Sequence, residues 1–222
     1  MKKIIIALSM LMVLSNSAWS NTFVKNDWFI DDVDHPVKSI TEVMDTGKMQ
    51  LFTVTKYNKK GFKESSVVTM KYQNCDHRKF FIYYQPYQGN QRTVLSSFAE
   101  MNRQELLASW HKIDSTIEKW ISDSAYETIS DGAISIKKYD EDGDMQELIR
   151  RFYADQVVET YSTNFAYFDS LEDYQMTILG EDVTAIVTLA YDEKGNWVYR
   201  KSLKNKEDAI VKRFIEYYEG VN

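Results

Sequence analysis

Hydrophobic and polar residues alternate with a period of two over most of this 222-residue chain. Val37 to Met44 and Met49 to Tyr57 alternate, and Phe62 to Tyr72 continues the pattern through Val67, Val68 and Met70, as in strands with one covered face. Lys79-Phe80-Phe81-Ile82-Tyr83-Tyr84 is apolar or aromatic at successive positions, as in a strand covered on both sides. With turns at Asp45-Thr46-Gly47-Lys48 and Asn74-Cys75-Asp76-His77-Arg78, these runs predict a four-stranded meander. The pattern resumes after Asp131-Gly132, where Ala133 to Tyr139, Met145 to Tyr153 and Val157 to Thr163 predict a second meander. Tyr174 to Leu179 and Val183 to Tyr191 then flank Gly180-Glu181-Asp182, and Trp197 to Leu203 follows. The closing run Ala209 to Tyr218 fits either period, and its β-branched and aromatic content decides for a strand.

One segment changes period. Ser97-Phe98-Ala99-Glu100 has the form of a capping box, and Leu106, Trp110, Ile113, Ile117 and Trp120 follow at helical spacing with Leu107 and Ile121 beside them. The fold class expected is therefore α+β, predominantly antiparallel β meanders built from hairpins, with one long amphipathic helix over about residues 97–122 packed on the sheet.

Three turns share one composition: Tyr57-Asn58-Lys59-Lys60-Gly61, Tyr139-Asp140-Glu141-Asp142-Gly143 and Tyr191-Asp192-Glu193-Lys194-Gly195. The Asn or Asp side chain can bond its own backbone to open the turn, and the glycine can close it with φ > 0. Tyr57, Gly61, Tyr139, Gly143, Tyr191 and Gly195 are thus assigned structural roles in hairpin turns. Tyr191 to Arg200, with Phe214-Ile215-Glu216-Tyr217-Tyr218, resembles the YD-type hairpins of Rhs-like proteins and of many small exported bacterial proteins of unknown function. The resemblance is in separated pieces. It implies twisted antiparallel β-structure and carries no catalytic residue.

The first residues set the compartment. Met1-Lys2-Lys3 is a positive n-region, Ile4 to Leu14 is an apolar run interrupted only by Ser9, and Ala18-Trp19-Ser20 is a small-x-small cleavage site. This predicts a bacterial secretory signal peptide over residues 1–20, with a periplasmic or secreted mature protein. The run is too short to span a bilayer, for which about 20 apolar residues are needed. The mature chain, 21–222, is expected to be a single mostly-β domain or two packed halves, 21–125 and 126–222.

Cleavage removes two of the 27 basic residues and no acid, leaving 25 against 33 and a net charge of −8. Nucleic acid and anionic membranes are poor partners for such a chain, and a basic protein partner is favoured. Cys75 is the only cysteine, so no intrachain disulfide can form.

Candidate chemistry is sparse. Asp140, Asp142, Asp144 and Glu147 invite a calcium reading, but Gly143 precedes Asp144 and Arg151 stands where an EF-hand loop needs glutamate, so a hairpin turn is preferred. Cys75-Asp76-His77 puts a nucleophile and a base on one loop, an arrangement that rarely works as a dyad. His35, His77 and His111 have no paired spacing for a metal. Asp31, Asp32 and Asp34 read as a solvated acidic face. No catalytic residue, cofactor or metal site is assigned.

With 15 Tyr, 11 Phe and 5 Trp, most rings must belong to the core. Tyr83, Tyr84 and Tyr87, with Tyr217 and Tyr218, form the candidate interaction surface, against the alternative that they are cross-strand packing partners. The function expected is an exported protein-binding module, inhibitor-like or immunity-like. A glycan- or peptidoglycan-binding module is the alternative, and an unrecognised hydrolase ranks third.

Overall fold

The computed structural model describes residues 24–72, 77–102, 107–112, 115–154, 157–177, 179–180, 183–204 and 207–219. The expected signal segment and Cys75 lie outside the described residues. A one-turn helix, α1 (Asp27–Ile30), precedes β1 (Val37–Asp45), β2 (Met49–Tyr57), β3 (Lys63–Tyr72), β4 (His77–Tyr84), β5 (Gln91–Met101), β6 (Leu107–Lys112) and β7 (Thr116–Trp120). The chain continues through β8 (Ala125–Ser130), β9 (Ala133–Tyr139), β10 (Met145–Ala154) and β11 (Val157–Phe168). A second short helix, α2 (Leu171–Met176), leads to β12 (Val183–Tyr191), β13 (Trp197–Lys204) and β14 (Glu207–Tyr217).

The strands close into a barrel. Neighbours in sequence pair around the sheet, β14 returns to β1, and β4 meets β5 to complete the ring. β6 and β7 both pair with β5, β6 along Ser97–Met101 and β7 along Gln91–Val94, so they lie end to end as one stave and the 14 strands make 13 staves. An odd number of staves cannot alternate in direction all the way round. The single mismatch falls between β11 and β12, which run parallel. The return between them carries α2, capped by the Ser170 hydroxyl accepting the Asp173 N–H at 3.1 Å.

The expected long helix is corrected by this pairing. Ser97 to Met101 lie in β5, registered on Phe81 to His77 of β4, and residues 107–112 and 116–120 are strands. The reason is periodic. Leu106 and Trp110, like Ile113 and Ile117, are four apart and share a face in either element, whereas the spacings of three, Trp110 to Ile113 and Ile117 to Trp120, share a face only in a helix and put apolar side chains on both faces of a strand. Neighbouring staves on both sides then decide, since β propensity expresses packing against cross-strand partners more than local preference. Tyr174 to Leu179, expected as strand, is likewise corrected: Tyr174 to Met176 belong to α2.

The segment 24–36 sits in one mouth of the barrel as a plug. Inward positions are identified by their contact with it. Arg213 Nη1 donates to the Asp31 carbonyl at 2.7 Å, Arg92 grips Asp27, and Arg200 meets Asp32. The fully covered side chains gather at this end. Val33, Val37, Ile40 and Tyr57 pack with Trp28, Ile215 and Tyr217, while Trp120, Tyr126 and Tyr139 pack with Phe29 and Ile30. A second covered patch lies outside, where α2 crosses β11 and β12. Thr188 faces inward to Arg200, so Ala185 and Val187 face outward, yet both are wholly buried, and Phe168 meets Tyr174 with ring centroids 5.8 Å apart.

Candidate binding cleft at the plugged end

Three hairpin turns with the same backbone surround the plug. In each, the Asn or Asp side chain accepts the N–H groups two and four residues on: Asn58 from Lys60 and Phe62, Asp140 from Asp142 and Asp144, Asp192 from Lys194 and Asn196. Gly61, Gly143 and Gly195 then take φ of 84°, 95° and 84°. Each turn holds a different part of the plug. The Gly61 carbonyl accepts the Asp27 and Trp28 N–H groups at 2.8 and 3.3 Å, and the Asn196 side chain accepts the Asp34 N–H at 2.9 Å. Gly143 lies so close to Phe29 that a Cβ there would stand 3.0 Å from its carbonyl oxygen. The tyrosines of the three copies are not equivalent: Tyr57 and Tyr139 are buried, whereas Tyr191 points outward and bonds Asp169.

The acidic residues of the plug are docked on barrel cations, which corrects their reading as a solvated face for Asp31 and Asp32; Asp34 is exposed. Asp27, with no exposed surface, accepts two bonds from Arg92 at 2.6 and 2.9 Å and one from the Lys63 N–H at 2.6 Å. Glu118 takes a third donor of the same guanidinium at 2.7 Å. Burial pushes the Asp27 carboxyl above its usual range and Arg92 only partly draws it back. Burial would lower Arg92, but Asp27 and Glu118 more than reverse this, so the guanidinium stays charged and the cluster stands or falls together.

Asp31 pairs with Lys63 at 2.8 Å and accepts the Tyr57 hydroxyl at 2.5 Å. Burial alone would raise its carboxyl, and Lys63 overcomes that and holds it below the ordinary range. Asp32 and Asp144 share Arg200, at 2.7 and 3.7 Å, but an oxygen of each is buried without a hydrogen bond. Burial and the neighbouring Asp32 push the Asp144 carboxyl up to about 6.

Beside the plug, between the β2–β3 and β4–β5 turns, opens a cleft of 690 Å³. Phe62, Tyr83, Tyr84, Pro86 and Tyr87 give it apolar and ring surface, and Asn58, Lys60, Glu64 and Gln85 give it donors and acceptors. Its floor is Arg92, whose guanidinium lies 4.6 Å from the ring centres of both Tyr84 and Tyr87. Phe62 and Tyr87 are 5.7 Å apart, and Tyr83 is 56% exposed at the rim.

Of the five tyrosines singled out from the sequence, the fold brings Tyr83, Tyr84 and Tyr87 into this cleft. Tyr217 and Tyr218 lie elsewhere on the plugged end. Tyr217 bonds Asp192 and Asn196 within the third turn, and the Tyr218 hydroxyl caps the Tyr57 carbonyl at 2.6 Å. His77 stands at the far end of β4, and His111 lies on the inner face in mid-barrel, its ring stacked on Phe98 at 4.5 Å; among the described residues no group of three His, Cys, Asp or Glu is placed to hold a metal ion. Arg92, Lys63, Arg200 and Arg213 escaped the sequence reading. Their signal was a cation on the apolar phase of a strand, as in Val211, Arg213, Ile215 and Tyr217.

The class of molecule defined by these features is a closed β-barrel, antiparallel except between β11 and β12, with its own plug in residues 24–36 and an aromatic cleft at the plugged mouth. The chain matches no protein-family model, no curated protein and no solved structure.

Proposed function

We propose that the protein is an exported, water-soluble binding module that holds a glycan in the tyrosine cleft. The observation that carries this reading is the convergence of Tyr83, Tyr84 and Tyr87 with Phe62 on one concave site rimmed by amide, carboxylate and ammonium groups. Ring faces stack on the apolar faces of sugars, and the rim supplies partners for hydroxyls. A recess of this kind suits a small ring-bearing ligand better than the roughly 800 Å² that a protein partner covers on each side.

The outer wall supports an aqueous setting. Lys138, Glu147 and Ser162 link three neighbouring strands, and Lys201 pairs with Asp208 at 2.8 Å. Such charges facing lipid near a bilayer midplane would cost about 2–4 kcal/mol each.

Titration calorimetry of residues 21–222 with chitooligosaccharides and soluble peptidoglycan fragments tests the reading. Tyr83→Ala combined with Glu64→Ala, both at the exposed rim, is expected to weaken binding at least tenfold with an unchanged melting temperature. Lack of binding to every saccharide, together with Tyr83-dependent capture of a defined envelope protein, would replace the glycan by a protein partner.

A further inference from the structure

The barrel has a second space, above the plug. Thirteen staves about 4.8 Å apart and tilted by about 40° close to a diameter of about 26 Å between opposite Cα atoms, more than side chains fill. The inward positions above the plug bear this out. Val68, Phe80, Ile82, Phe98, Leu148 and Ile186 face the interior in mid-barrel, and none of them is fully covered; Thr53, Ser96, Thr128, Ser135 and Thr163 share that face, so the apolar lining falls in patches, the larger on β3, β4 and β5. Apolar side chains that stay open on the inner face of a closed wall line a cavity.

On the floor of this cavity stands Lys137. It is registered between Tyr126 of β8 and Leu148 of β10, one inward step above Tyr139. Among the described residues it has no hydrogen-bond or ion-pair partner. The two carboxylates within electrostatic reach are already committed, Asp31 to Lys63 and Tyr57, Glu118 to Arg92. Burial pushes the Lys137 ammonium below its usual range, and Lys63 pushes the same way. Lys137 is half-covered, and a cation taken partly out of water without a counter-charge is ordinarily paired. The next inward position of β10, Arg150, adds a second cation and is exposed.

We propose that the lumen is a binding site for a single-chain amphiphile with a carboxylate head, the head pairing with Lys137 on the floor and the tail lying along the apolar inner wall. The partner chemistry follows from the site. The tail replaces water on half-covered apolar side chains, and the head supplies the charge that the barrel lacks. The plugged mouth is closed to ligand by Asp27, Trp120, Tyr126 and Tyr139, all buried.

The probe is cis-parinaric acid, a fluorescent fatty acid, added to residues 21–222 and displaced by dodecanoate, dodecanol or dodecyltrimethylammonium. Dodecanoate is expected to displace it at least tenfold better than the other two. Lys137→Met is expected to remove that preference and bring dodecanoate to the level of dodecanol, while its melting temperature without ligand holds or rises, since an unpaired, half-covered charge is removed. Ile82→Arg, which puts a charge into the apolar wall, is expected to abolish binding of all three in a protein that still shows β-type circular dichroism. Absence of probe binding to the folded protein, or a carboxylate preference that survives Lys137→Met, would overturn the proposal. The Tyr83→Ala, Glu64→Ala protein is expected to bind parinarate normally, which separates this site from the cleft.

Discussion

The two halves of the barrel are built from the same staves and stabilised in different ways. At the plugged mouth, side chains from distant strands converge on residues 27–34, and every carboxylate of α1 and its exit except Asp34 meets a cation or hydroxyl. In the other half, inward side chains meet mainly their neighbours along the wall, as Phe80 meets Phe98 at 5.6 Å and Phe98 stacks on His111 at 4.5 Å, and these residues are not fully covered. Even the ion pairs differ: Arg92 and Asp27 are 1% and 0% exposed, whereas Arg78 and Glu100, inward on β4 and β5 in the other half, are 51% and 38% exposed. A closed sheet can therefore leave half its interior unpacked, provided that one end supplies a core.

The largest contrast should come from the buried cluster. Arg92→Met leaves Asp27 without its counter-charge, and breaking a buried pair in this way costs about 3–5 kcal/mol. Thermal melts should fall by about 10 °C for a chain of this size. Arg150→Met, in the unpacked half and without an ion-pair partner among the described residues, should melt with the parent protein. Equal losses in the two would mean that the halves are not stabilised differently.

A smaller and graded effect is expected at the turns. All three glycines take positive φ, so valine at any of them carries a backbone penalty of about 1–3 kcal/mol. Gly61→Val adds a clash, because its Cβ would lie 2.6 Å from the Trp28 ring and 2.9 Å from Asn26. Gly143→Val meets Phe29 at 3.0 Å, and Gly195→Val meets nothing within 4 Å. The melts should rank Gly61→Val lowest, then Gly143→Val, then Gly195→Val; any other order would break the link between turns and plug.

The smallest effect is a pH dependence, and its sign follows from Asp144. Its carboxyl is raised to about 6 in the folded protein, so its contribution to stability is complete below the unfolded value near 3.8 and disappears as pH rises through 6. Asp144→Asn should therefore stabilise the protein at pH 7, by on the order of 1 kcal/mol after allowance for solvent screening, and make no difference at pH 4. Asp31 works in the opposite direction: its lowered carboxyl supports the plug above about pH 4, and that support is lost on further acidification. Melting curves of the parent and of Asp144→Asn that stay parallel from pH 4 to 7 would remove Asp144 from the account.

Much of the barrel was legible along the chain. Period-two alternation located β1, β2, β3, β9, β10, β11, β12 and β13, because a strand with one covered face must alternate whatever sheet it joins; β14 fitted either period and was read as a strand from its β-branched and aromatic content. The three Tyr-[Asn/Asp]-x-x-Gly turns were legible for a local reason, since their hydrogen bonds run within five residues. The segment 97–122 was not. Its apolar residues recur at intervals of four and three, which a helix gathers on one face and a strand divides between two, and the contest was settled by β4 and β8, residues remote in sequence.

Closure, the plug and both cavities belong to the tertiary structure alone. Nothing local tells Tyr217 that its stave will lie beside Val37, or Asp27 that Arg92 will meet it 65 residues away. The sequence determined which residues become strands and turns, because those choices depend on near neighbours. The ring of staves decided which side chains share an interior, because pairing between distant strands sets the register. Acids that read as a solvated face became the inner lining of a mouth, and a lysine on an ordinary strand became the floor of a cavity.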